Sequence, residues 1–101
     1  MIDRAREEVF ALNNEGVRLV RQGELRQAID YFEKAVADIA GNKIINANAA
    51  LAYTLYMKKH GATDDFMNRT KLFIGRVMQI DPAYKDLPQL QNMLRELARE
   101  N

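Results

Sequence analysis

Apolar residues recur along this chain at intervals of three and four with polar residues between them, a spacing that predicts amphipathic helices from end to end. Ala5, Val9, Leu12, Gly16, Leu19 and Val20 share one face of a first helix, for which Asp3 is a candidate N-cap. Leu25, Ala28, Ile29, Phe32 and Ala35 share one face of a second helix that runs to about Ala40. Between them Arg21-Gln22-Gly23-Glu24 makes a tight turn, because glycine accepts the positive φ that ends a helix. The second helix therefore runs back along the first. Gly16 and Ala28 are the small members of the two stripes, so the backbones can approach closely while Phe32 and Leu19 fill the space beside the crossing. Gly41-Asn42 reads as the stop of the second helix.

A third helix is expected from about Ile44 to Lys59. Ala47, Ala49, Ala50 and Ala52 make it small-sided, as suits a helix packed on more than one neighbour. The turn His60-Gly61-Ala62-Thr63-Asp64-Asp65 follows, with Thr63 or Asp64 as the cap of a fourth helix. Its expected buried stripe is Phe66, Thr70, Phe73, Ile74, Val77 and Met78, and Ile80-Asp81-Pro82 ends it because proline cannot continue a helix. Asp86 and Pro88 open a fifth helix, with Leu87, Leu90, Leu94, Leu97 and Ala98 inward and Arg95, Glu96, Arg99 and Glu100 toward water.

The order Leu12, Asn14, Gly16, Leu19, Gly23, Ala28, Phe32, Ala35 resembles the tetratricopeptide repeat (TPR). Asn48, Ala50 and Tyr53 stand 34 residues after Asn14, Gly16 and Leu19, which is the repeat length of that family. Two departures stand out. Glu15 occupies a position where the family has Leu, and Ala40-Gly41 stands where it has the repeat-ending Pro. The second repeat is longer by about eight residues, read as an extra turn on the third helix, a longer loop and a longer start to the fourth. The resemblance implies an all-α, right-handed antiparallel helical hairpin array, a TPR-like superhelix. Residues 1–101 would form a single domain: repeat one over about 9–42, repeat two with its insertion over about 43–84, and a capping helix over about 86–100. Two repeats and a cap make a short array, which self-association or a neighbouring domain would complete. A helix opening almost at Met1 suits a module of a longer protein, and the array also resembles the TPR tails of bacterial response regulators.

Composition narrows the function classes. A net charge of +1 argues against a nucleic-acid or membrane-surface footprint, each of which needs clustered Lys and Arg. With no Cys there is no disulfide framework, thiolate metal site or Cys nucleophile, which fits a reducing, cytoplasmic setting. The lone histidine, His60, stands at a helix C-terminus, where it favours the dipole, and no second His or Cys stands at ligand spacing. Asp64-Asp65 open a helix and complement its dipole rather than forming a metal pair. Tyr53 and Tyr56 could stack on a ligand, but the spacing of Tyr53 places it in the core. Neither a catalytic residue nor a cofactor or metal is expected.

A binding surface is the better candidate. In the TPR family, the first helices of successive repeats line a concave groove that holds a protein segment. Carried over here, the groove would present Phe10, Asn13, Asn14, Val17, Val20 and Arg21 from the first helix. The third would add Ile44, Ala47, Asn48, Leu51, Thr54 and Leu55. Asn14 and Asn48, at matching positions, could clamp a peptide backbone through their amides. TPR proteins that grip the C-terminal carboxylate of heat-shock chaperones use a Lys and an Asn where this chain has Asn13 and Val17, so that clamp is incomplete. A ligand with hydrophobic anchors fits the mixed groove better than an acidic tail. The expected role is protein or peptide binding without catalysis. Its rivals are homodimerisation and an accessory role beside a covalently linked signalling domain.

Overall fold

The computed structural model describes residues 4–100, with the side chains of 7–99, and builds five helices: α1 (Arg4–Arg21), α2 (Leu25–Asp38), α3 (Lys43–His60), α4 (Asp64–Ile80) and α5 (Leu87–Glu100). The fold is all-helical, with no strand among the described residues. The expected cap Asp3 and the side chain of Ala5 lie outside the described residues. Among the described residues no helix is long and apolar enough to cross a membrane.

Short turns set the chain path. Gln22–Glu24 joins α1 to α2, with Gly23 at φ 79°, and Gly61–Thr63 joins α3 to α4, with Gly61 at φ 97°. Each loop is three residues long, so each pair packs as an antiparallel hairpin. The longer loop expected in the second half is absent; the extra length is in the helices, α4 having 17 residues against 14 in α2. Thr63 caps α4, its hydroxyl accepting from the Phe66 amide at 3.2 Å.

The corner between the hairpins departs from expectation. Helix α2 stops at Asp38 rather than about Ala40, and Gly41 is not among the glycines with positive φ. Asn42 looks forward instead and caps α3, its side-chain oxygen accepting from the Ile45 amide at 3.1 Å. Fully buried Asn46 closes the corner, its amide nitrogen donating to the Ala40 and Asn42 carbonyls at 2.8 and 2.7 Å.

Helix α3 is the hub: it packs against α1, α2, α4 and α5. Its buried Ala47, Ala49, Ala50 and Ala52 let those neighbours approach. Around it Phe32 and Ile29 of α2, Ile45 and Met57 of α3, and Phe73 and Val77 of α4 are fully buried. Each large side chain among them contributes roughly 1.5–3 kcal/mol by leaving water. At the first crossing Gly16 lies so close to Phe32 that an added Cβ would meet the ring at 2.6 Å. Two inward expectations are corrected. Met78 is 42% exposed and Ala98 is exposed, because both sit on the flanks of their helical stripes; Met67 takes the buried place in α4 instead.

On the side of α3 that faces α2 and α4, Glu33, Tyr53 and Arg69 tie three helices together. The Tyr53 hydroxyl donates to the Glu33 carboxylate, and Arg69 grips both oxygens of that carboxylate, with its Nε at 3.0 Å. The Arg69 guanidinium also lies 4.9 Å from the Phe73 ring centroid. Lys43 and Asp81, 2.7 Å apart, close the end where α3 begins and α4 stops.

Candidate functional site

The groove is built on α3, with α1 on one side and α5 on the other. Asn48 and Leu51 are one turn apart on the half-buried face of α3 and line two adjoining hollows. The first hollow, about 230 Å³, lies toward α1 and is formed with Val17, Val20, Arg21 and the Phe32 ring. Its walls are mostly apolar, and it has room for one or two aliphatic side chains. The second, about 160 Å³, lies toward α5 and is formed with Ala47, Asp86, Gln89 and Leu90. This one is more polar.

Between the hollows' walls runs one cross-helix bond. The Asn48 side-chain amide donates to Oδ1 of Asn13 at 2.9 Å. Asn13 is buried and Asn48 half-buried, so the bond holds the Asn48 side chain at the groove floor with its own oxygen still unspent in that bond.

Of the groove residues expected from the sequence, Val17, Val20, Arg21, Asn48 and Leu51 meet around the first hollow, and Ala47 belongs to the second. Asn13 stands beside them through its bond to Asn48. Four others lie outside both hollows: Phe10 and Leu55 half-buried, Asn14 exposed, and Ile44 45% exposed. Asn13, not Asn14, is the residue bonded to Asn48, and Asn14 stays exposed beside it. Thr54 is fully buried, its hydroxyl donating to the Leu51 carbonyl at 2.8 Å, and it borders a small crevice with Lys58, Met93, Glu96 and Leu97.

Four lining residues are not in the sequence-derived set: Phe32 at the floor of the first hollow, Asp86 just before α5, and Gln89 and Leu90 on α5. The sequence carried a signal for this helix: Ile80-Asp81-Pro82 ends α4, and a further amphipathic helix follows it and packs beside α3.

The electrostatics of the groove are sparse. Arg18 is occupied by Glu15 one turn earlier; that hydrogen bond lowers the Glu15 pKa and raises that of Arg18. Arg21 and Asp86 form no ion pair among the described residues. No group of three His, Cys, Asp or Glu side chains able to hold a metal ion occurs among the described residues. The arrangement can desolvate apolar side chains, offer amide hydrogen bonds at its centre and present one charge at each side. No protein-family model, curated protein or solved structure matches this chain.

Proposed function

We propose that this chain is a TPR-like superhelical array of two hairpins and a fifth helix that holds an extended segment of a partner protein in its groove, without a catalytic step of its own. The observation that carries the reading is the pair of adjoining hollows on α3, joined at Asn48 and Leu51 and braced by the Asn13–Asn48 bond. An extended peptide presents alternate side chains and unpaired backbone amides, which such a floor can meet with apolar hollows and an Asn amide. The 34-residue spacing of Asn14, Gly16 and Leu19 to Asn48, Ala50 and Tyr53 supports the repeat architecture. So does the packing of α3 on both α1 and α5.

The test is amide-shift mapping with linear peptides enriched from a displayed random-sequence library. Shifts concentrated at residues 13–21 and 47–51 are expected. Shifts confined to the α2–α4 side, or a library that enriches nothing, would remove the reading.

A second reading, self-association, is favoured by Ile44, Leu72, Met78 and Ile80, large apolar side chains that are each 40–45% exposed. Light scattering decides it: a monomer at tens of micromolar eliminates homodimerisation.

A further inference from the structure

Arg21 and Asp86 stand at opposite sides of the groove, one on the α1 wall and one at the start of α5, and both are exposed. Neither forms an ion pair among the described residues, whereas Arg18, one turn from Arg21, is held by Glu15. Between them lies the apolar first hollow and then the Asn48 amide. The groove thus runs from a cation, across an aliphatic slot, to an anion.

We infer that the segment bound here is a mixed-charge peptide, with an acidic residue at the Arg21 side, an aliphatic anchor over Val17, Val20 and Leu51, and a basic residue at the Asp86 side. This rests on the peptide-groove reading and specifies its ligand. Charges at the rim choose partners and orientation more than they add affinity, because each remains partly hydrated. The aliphatic slot supplies the burial. The aliphatic residue of the segment should stand nearer its acid than its base, because the apolar hollow lies on the Arg21 side.

The experiment uses the full chain and a displayed library of random linear peptides, selected in parallel on the wild type, Arg21→Glu and Asp86→Lys. Both substitutions are at exposed positions, and circular dichroism checks that the helices persist. Wild-type selection is expected to enrich the acid–aliphatic–base pattern. Arg21→Glu should weaken the best such peptide roughly tenfold and enrich a base in place of the acid; Asp86→Lys should do the mirror change at the other end. Enriched peptides that shift groove amides but carry no charge pattern, or that bind Arg21→Glu unchanged, overturn this inference and leave the groove reading standing. No enrichment, or shifts on the opposite side of the molecule, overturns both.

Discussion

Phe32 packs against the backbone of α1 at Gly16, so close that a Cβ there would sit 2.6 Å from its Cε1 and 2.7 Å from its Cζ. Phe32 is 1% exposed. It also floors the first hollow, so the tightest crossing of the fold lies directly under the proposed binding surface.

Gly16→Ala should therefore destabilise the protein, although alanine is the better helix former by about 1 kcal/mol. Overpacking of this kind costs about 1–3 kcal/mol, and the clash is with a buried ring. Urea denaturation should show a lower midpoint. A midpoint at or above that of the wild type would mean that the ring yields freely.

The Asn13–Asn48 bond predicts coupling. In a double-mutant cycle, Asn13→Ala and Asn48→Ala should be non-additive by about 0.5–1.5 kcal/mol, the usual net worth of a hydrogen bond. Asn14→Ala, at an exposed position, should stay within about 0.5 kcal/mol of wild type. Additive losses at Asn13 and Asn48 would remove the bond.

The Tyr53–Glu33–Arg69 cluster predicts alkaline sensitivity. Burial foremost, and then the Glu33 carboxylate at its hydroxyl, push the Tyr53 phenol well above its ordinary value of about 10. Above pH about 10 the unfolded chain releases this proton while the folded chain keeps it. The stability it confers is thus fully present below that pH and declines as pH climbs past it. Tyr53→Phe should flatten that decline. Equal alkaline slopes in the two proteins would show that another group governs it.

Asn46 predicts the harshest polar substitution. Its amide donates to two carbonyls, and its own Oδ1 is buried without a partner among the described residues. Asn46→Asp replaces the donor with a carboxylate facing those carbonyl oxygens, at a cost of about 3 kcal/mol or more. The deficit should shrink in acid, where the protonated carboxyl regains one donor. A thermal midpoint equal to wild type at neutral pH would contradict the two bonds.

Periodicity made the helices and their facing stripes legible, since burial follows the three-and-four spacing of Ala28, Ile29, Phe32 and Ala35 almost without exception. Gly23 was legible because only glycine takes the turn's positive φ readily, whereas the α4 cap was narrowed only to Thr63 or Asp64, since both residue types cap helices. Gly41-Asn42 was not legible, since Gly and Asn serve both to end one helix and to start the next, and only the path of the chain chooses. Within the groove, the sequence could place Val17, Val20, Arg21, Asn48 and Leu51 on inward positions. It could not choose between Asn13 and Asn14, one residue and about 100° apart on a helix. Nor could it tell that Thr54 satisfies its hydroxyl on the Leu51 carbonyl and so sinks beneath the floor.

The alanine-lined hub has a kinetic corollary. Because α3 touches every other helix, its amides should exchange with solvent only when the molecule opens as a whole, whereas α5, the least packed of the five, should open at lower free energy. A segment held between α1 and α5 would tether that helix, so occupancy of the groove should slow exchange in α5 far more than in α3.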